Sequence, residues 1–447
     1  MIYCSGHEPT KEEEEEEEED SSPKNEGLKD ITEVLISKLA LYVLHLLLLT
    51  IGSRASVHPI KTVVVQEEGF HRASHDDELC DLYRDNILHD MSAWADESGK
   101  KTITIHNLVR AAKTAIRSPY VSIIVVRAGK VHVFADFLVE DFALLRMTNL
   151  QSALSNLISD GSTVPDTLFV YNSEDEPLCF RLKHGCNVPM FTSFKRCVPP
   201  IIKGGDTAAE WQCVDKEVLL PNFSQKWDAL HFYPWAAKLN KALMRGSFQR
   251  TMTENSTRYK LAEMCVIEPQ VGRMLDAGLV YNRNHKIMVS SDLKKGFVSM
   301  PNASRWRFLI STDGHTASSR LGHLLGVNSV VLKERSIWIE YYYRSLQEGV
   351  DHLEFTVDDI KALLLSITAQ EHEEEMKAVV LKGQQFAYRY LHEVAKALYV
   401  RQAITEYNKL FQGEMESFVR GLSFSSSVFT SGQVIKLLQE HVDMINS

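Results

Sequence analysis

Three short stretches combine side chains that can do chemistry. Glu174-Asp175-Glu176-Pro177 places three carboxylates directly after Thr167-Leu-Phe-Val-Tyr171, which reads as a strand. Ligands in open α/β sheets bind beyond the carboxyl ends of the strands, and a carboxylate held there can take a proton from a hydroxyl. The same run could instead chelate a hard cation or simply close an exposed acidic turn. Arg245-Gly246-Ser247 ends a short apolar run and offers a cation, close backbone approach and a hydroxyl. The third stretch is Thr312-Asp313-Gly314-His315-Thr316-Ala317-Ser318-Ser319-Arg320. Asp313-Gly314 signals a turn, Ser318 or Ser319 is suited to cap a helix, and Leu321, Leu324 and Leu325 follow at helical spacing. Such a helix start leaves backbone N–H groups and the Arg320 guanidinium facing one spot, which suits phosphate. The alternative is an ordinary strand-to-helix turn with a surface arginine.

These stretches need a frame. Arg305-Trp-Arg-Phe-Leu-Ile-Ser311 reads as a buried strand ahead of Asp313, and Ser329-Val-Val-Leu-Lys333 as the strand after the turn. Lys241-Ala-Leu-Met-Arg245 is a third. Ser122-Ile-Ile-Val-Val126 and Val131-His-Val-Phe-Ala135 flank Arg127-Ala-Gly-Lys130, a hairpin signal. Helices are expected over 78–94 weakly, and over 141–158, 253–264, 337–346, from Thr356 onward, and over 370–411 with Gly383 as the interruption. Strands alternating with helices predict an α/β fold with parallel sheet. The loop-rich stretch 178–225 puts a domain boundary near 220–235.

The 447 residues carry a net charge of −10, unevenly spread. Residues 1–30 hold 12 acidic and 3 basic side chains, which is −9, and the remainder carries −1. Eight consecutive glutamates repel one another and bury nothing, so a disordered tail is expected over 1–30. The nearly neutral body has no nucleic-acid footprint. Residues 34–51 form the most apolar segment, and 31–55 reads as a signal peptide cleaved near 53–56, as a signal anchor, or as a buried helix. There are 7 cysteines without a CxxC pair. With Cys4 set aside, six remain for three disulfides in an oxidising lumen, or as buried thiols. Asn222, Asn255 and Asn302 open glycosylation sequons. No HExxH, GxSxG, Walker A or strand-linked GxGxxG occurs, so metalloprotease, α/β-hydrolase, P-loop and Rossmann dehydrogenase readings lack motif support.

In order along the chain, these segments resemble glycosyltransferase family 90, which includes capsule-associated xylosyltransferases and Rumi-like protein O-glucosyltransferases. The resemblance is carried by Trp235-Ala-Ala-Lys-Leu-Asn-Lys-Ala-Leu-Met-Arg245-Gly246-Ser247, by Asp313-Gly314 leading to Ser318-Ser319-Arg320 and Asn328-Ser329-Val-Val-Leu-Lys333, and by Trp338-Ile-Glu340-Tyr-Tyr-Tyr343 with Gly349-Val-Asp-His352. It runs over about 165–400. Met244 and Asn328 depart from the family pattern, and no KDEL-like tail closes the chain.

The resemblance implies a GT-B-like fold, with two Rossmann-like domains (56–228 on the acceptor side, 229–447 binding a nucleotide sugar) facing a central cleft. It implies inverting, metal-independent transfer of glucose or xylose from a UDP-sugar to a hydroxyl of a protein or glycan, without a cofactor. Asp175, in Asn172-Ser-Glu-Asp175-Glu-Pro177, maps onto the general base. Arg245, Gly246, Ser247, Asp313, Gly314, Ser318, Ser319, Arg320 and Glu340 map onto the donor-binding segments. The lumen of the endoplasmic reticulum or Golgi is the expected location, with membrane contact through 34–51 if that segment is uncleaved. A metal-dependent GT-A transferase and a catalytically silent, membrane-tethered binding protein are the competing readings.

Overall fold

The computed structural model describes residues 60–61, 70–94, 103–135, 141–179, 186–199, 211–224, 229–249, 251–280, 289–424 and 430–446. The acidic tail, the apolar 34–51 segment and Cys4 lie outside the described residues.

In the first half, helix α1 (Ile105–Ala115) leads to the hairpin β1 (Val121–Arg127) and β2 (Lys130–Phe134). Helix α2 (Asp141–Ser159) follows, and then strands β3 (Thr167–Asn172), β4 (Phe191–Thr192), β5 (Lys195–Val198), β6 (Gln212–Cys213) and β7 (Val218–Leu219). Five of these strands make a mixed sheet in the order β2-β1-β3-β4-β7. β1 is antiparallel to β2 and β3, whereas β3, β4 and β7 run parallel. The sequence pattern explains β1: every residue from Val121 to Val126 is buried, as befits a strand covered on both faces.

The second half contributes β8 (Leu239–Ser247), α3 (Thr257–Ile267), α4 (Pro269–Met274), β9 (Leu275–Val280), β10 (Trp306–Ser311), α5 (Leu321–Leu325), β11 (Val330–Glu334), β12 (Trp338–Ile339) and β13 (Leu353–Phe355). Helices α6 (Ile360–Ile367), α7 (Glu373–Tyr390), α8 (Glu393–Lys409), α9 (Glu414–Gly421) and α10 (Ser431–Asn446) complete the described chain. Its sheet is wholly parallel, in the order β9-β8-β10-β11-β13. Ala242, Met244, Phe308, Ile310, Val330 and Leu332 point to one face and pack under α3, α4, α6 and α7 with Leu261, Val271, Leu364 and Val379. The expected α/β character with parallel sheet is present.

Two features tie the halves together. β12 pairs antiparallel with β5, which pairs with β6, so a small sheet draws strands from both. Helices α8, α9 and α10 leave the second sheet and return to the first half, where they pack on α2, β3 and α1 respectively. The first sheet takes its last strand at Val218–Leu219 and the second its first at Leu239–Ser247, while the last helices pack on the first half.

The structure corrects several local expectations. Residues 337–346 are not one helix: Trp338 and Ile339 pair with Arg196 and Lys195, only Tyr343–Ser345 makes a short 3-10 turn, and Tyr341, Tyr342 and Tyr343 are all buried. Three consecutive buried aromatics need partners on all sides, which one helix face cannot supply. The long 370–411 helix breaks at Leu391–His392, whereas Gly383 sits inside α7. Two disulfides form among the described residues, Cys179–Cys186 and Cys197–Cys213, in place of three. Cys265 stays a thiol, hydrogen-bonded with Leu275 and Ala277. Asn222 is not an open glycosylation site: it is 2% exposed and its Nδ2 donates to Ser319 Oγ at 2.8 Å.

Candidate functional site

Asp175 lies just beyond the C-terminal end of β3. Asn172 shapes this turn, since its Nδ2 donates to the Glu176 carbonyl at 2.7 Å and its Oδ1 accepts from the Glu174 N–H at 3.2 Å. Arg146, on the buried face of α2, donates from Nη2 to Asp175 Oδ1 and from Nη1 to the Ser173 carbonyl, both at 2.7 Å. Asp175 itself remains about a third exposed, at 31%.

The Arg245–Ser247 and Thr312–Arg320 stretches sit at the same end of the second sheet. Arg245, Gly246 and Ser247 close β8, and Thr312–Arg320 follows β10 directly. The two halves meet here, because His315 Nε2 lies 3.0 Å from Glu176 Oε1 and Asn222 reaches Ser319. The structure thus brings the Asp175 loop and the Asp313–Arg320 loop into contact.

Within these loops, the arginines differ. Arg245 forms a two-pronged ion pair with Asp276, both oxygens at 3.0 Å, and also donates to the Met244, Asp276 and Gly296 carbonyls. It organises the strand ends rather than presenting an open cation. Arg320 donates to the Arg245 carbonyl, and its Nε is buried without a partner. Burial, and then the charge of Arg245, lower the Arg320 pKa.

A third arginine, Arg258 on α3, escaped the sequence reading. It is 9% exposed. Its Nη1 donates to the Ser247 carbonyl at 2.8 Å, Nη2 to the Thr312 carbonyl at 3.1 Å and Nε to Thr312 Oγ1 at 3.1 Å. It thereby laces the two loops together from beneath. The glycines make this approach possible: a Cβ on Gly246 would lie 2.8 Å from Arg258 Cδ, and one on Gly314 would lie 2.9 Å from Gln249 Oε1.

Among the described residues, no carboxylate lies within ion-pair distance of Arg258 or Arg320. Burial pulls the Arg258 pKa down to about 10, against the more distant pull of Asp313 and Glu334. Asp313 offers reduced compensation, because burial and then Glu334 push its carboxyl up to about 7. Its own N–H donates to Glu334 Oε2 at 2.8 Å, and it accepts from Ser336 Oγ. A buried cation without close counter-charge is costly, so Arg258 beside the half-buried Arg320 marks a site suited to an anion.

The serines work differently from the expected helix cap. α5 has five residues and is C-capped by Gly326, and its N-cap is Arg320, without a side-chain cap bond. So short a helix has a small dipole. The Ser318 carbonyl accepts from the Leu321 N–H at 2.9 Å. Ser319 reaches back to Asn222 and to Glu340. Glu340 is 4% exposed, behind Ser319 and near Lys396. Burial raises the Glu340 pKa and lowers that of Lys396. A cavity of about 20 Å³ separates these side chains, enough for one water.

Asp175 and Glu176 each already face a cation or imidazole of the protein. No cluster of three or more His, Cys, Asp or Glu side chains suited to a metal occurs among the described residues. No described helix is long and apolar enough to cross a membrane.

Protein O-glucosyltransferase 2 of Danio rerio is 33% identical over 181 residues, 40% of this chain and 33% of that protein. Protein O-glucosyltransferase 3 of Homo sapiens is 25% identical over 178 residues, 39% of this chain and 32% of that one. The matched region thus spans about a third of these relatives. Among solved structures, the crystal structure of Anabaena Alr3699/HepE in complex with UDP-glucose aligns with a TM-score of 0.27 at 9% identity, covering 36% of this chain and 48% of that one. The family model for glycosyl transferase family 90 matches residues 75–420, a span that takes in both sheets, the Asp175 turn and every arginine described above. With well over half of its length matched, this chain belongs to glycosyltransferase family 90.

Proposed function

We propose that the protein is an inverting, metal-independent glycosyltransferase that moves glucose or xylose from a UDP-sugar to a hydroxyl of a protein or glycan. One observation carries the reading: two guanidiniums without a close carboxylate, the buried Arg258 and the half-buried Arg320, lie at loops that touch the turn holding a part-exposed carboxylate, Asp175. The diphosphate supplies the missing negative charge, and charge stabilisation of the departing UDP needs no metal. Asp175 receives the proton of the incoming hydroxyl. Gly246 and Gly314 keep Arg258 close beneath the loops, Arg245 and Asp276 fix the strand ends, and Ser247 and Ser318 line the donor path. Ser319 is held from behind by Asn222 and Glu340.

In this reading the halves form a GT-B-like pair around a cleft. The relatives' names favour glucose as the transferred sugar. The two disulfides favour a luminal setting in the secretory pathway, with 34–51 as signal or anchor.

The test is UDP release by the full chain with a panel of UDP-sugars, with and without EDTA. Release with one sugar, insensitive to EDTA, is the expected result. Release abolished by EDTA would favour metal-dependent transfer by the Glu174–Glu176 carboxylates. UDP binding without release, with any sugar and any glycan or protein acceptor offered, would favour a silent binding protein. A folded protein that does not bind UDP would overturn the proposal.

A further inference from the structure

We infer that Arg146 is the positioning residue for Asp175, holding one carboxylate oxygen so that the other is presented to the acceptor hydroxyl. The inference rests on the reading of Asp175 as base. Arg146 bonds the Asp175 loop at two points two residues apart, Oδ1 of Asp175 and the carbonyl of Ser173, each at 2.7 Å. This fixes both the side chain and the backbone that carries it. The guanidinium is itself held between two rings, 4.9 Å from the centre of Phe142 and 5.2 Å from that of Phe194. Phe142 lies one turn earlier on α2, and Phe194 follows β4, so the clamp draws on two elements of the first half. Arg146 is only 6% exposed.

An arginine side chain in water samples many rotamers. Here its freedom is lost on folding, before any substrate arrives. Asp175 Oδ2, by contrast, has no hydrogen-bond partner among the described residues, and its side chain is 31% exposed. A carboxylate with one oxygen tied and one open suits directed proton transfer. In the transfer, the acceptor oxygen bonds to the anomeric carbon and its proton passes to Oδ2. The bond from that carbon to the diphosphate oxygen breaks, and its electron pair leaves with UDP. Arg146 touches neither sugar nor diphosphate and acts only through Asp175.

The experiment uses the full chain and compares Arg146→Met, Arg146→Lys and Phe142→Leu with the parent and with Asp175→Asn. UDP release from UDP-glucose and from UDP-xylose gives kcat and KM for the faster donor, calorimetry gives UDP affinity, and thermal melting reports the fold. Misplacement of a catalytic group by about 1 Å costs on the order of a hundredfold, so Arg146→Met is expected to lower kcat by roughly 10- to 100-fold with UDP affinity unchanged. Arg146→Lys, which keeps a donor for Oδ1, is expected to recover part of that loss. Phe142→Leu, which opens one side of the clamp, is expected to lower kcat several-fold at unchanged UDP affinity, and it carries the test if Arg146→Met does not fold. Equal kcat in the parent and in the Arg146 and Phe142 variants, or losses confined to UDP affinity, would overturn the inference. If Asp175→Asn abolishes release while Arg146→Met does not, only the positioning role falls. If Asp175→Asn keeps full release, the base reading falls and takes this inference with it.

Discussion

The Asp175 turn and the arginine-laced loops lie against each other, yet their charges are handled in opposite ways. In the Asp175 turn two carboxylates have partners from the protein: Asp175 has Arg146, and Glu176 has His315. In the arginine-laced loops Arg245 is matched by Asp276, whereas Arg258 is buried among carbonyls and the half-buried Arg320 donates to one. A matched carboxylate is oriented before substrate arrives. An unmatched cation cluster is completed by it. The two sides should therefore fail differently when they are altered.

The largest expected effect is on the matched side. Asp175→Asn should lower transfer by ~10²- to 10⁴-fold, the usual span for loss of a general base. UDP affinity, measured by calorimetry, should stay unchanged, and weakened binding would blur the division between the two sides. Next comes Arg320→Ala, which should weaken UDP binding by about 10- to 100-fold, the worth of one charge-assisted bond of ~1.5–3 kcal/mol. Unchanged affinity would remove the phosphate role of the unmatched cations. Gly246→Ala comes third. Its new Cβ meets Arg258 at 2.8 Å, and overpacking of this kind costs about 1–3 kcal/mol, seen as a lower denaturation midpoint together with weaker UDP binding. A variant as stable and as tight as the parent would show that Arg258 is free to move.

The smallest effect concerns pH. Burial, and then Glu334, raise the Asp313 carboxyl to about 7 in the fold. A raised acid contributes stability that is full below its ordinary value near 4 and is lost as pH rises through 7. The same ionisation places negative charge beside the donor-side loops, so UDP affinity should fall a few-fold between pH 6 and 8. Asp313→Asn should flatten that slope. An equal slope in both proteins would exclude Asp313 as its source.

The sequence was legible where burial leaves a simple mark. β8, β10 and β11 lie inside a parallel sheet, and the short apolar runs Ala242–Met244, Phe308–Ile310 and Val330–Leu332 announce them. The Asp313-Gly314 turn and the Asn172–Pro177 segment are equally plain, because turn residues act locally. Arg258 left no such mark. It stands in Thr-Arg-Tyr-Lys near the start of α3, and only the two glycine loops above it make room for its side chain. Arg146 left a faint one. Ala143, Arg146, Met147 and Leu150 share the buried face of α2, so a charge at that spacing signalled a partner inside. Asn222 read as a sequon because its true partner, Ser319, is 97 residues away.

The return of α8 to the first sheet has a consequence for synthesis. Tyr407 packs against Phe191 at 5.1 Å, and Tyr399, Ala403, Ile404 and Phe411 are fully buried with it. The sheet that carries Asp175 has been made by residue 219, but the side chains that cover it emerge nearly two hundred residues later. At roughly 5–20 residues per second, that interval is on the order of ten seconds or more, during which an apolar sheet face stands open on the ribosome. The nascent chain should be a client of holding chaperones through this window. A stop codon ahead of α8 should cripple the acceptor side first, although the lost residues belong to the other end of the chain.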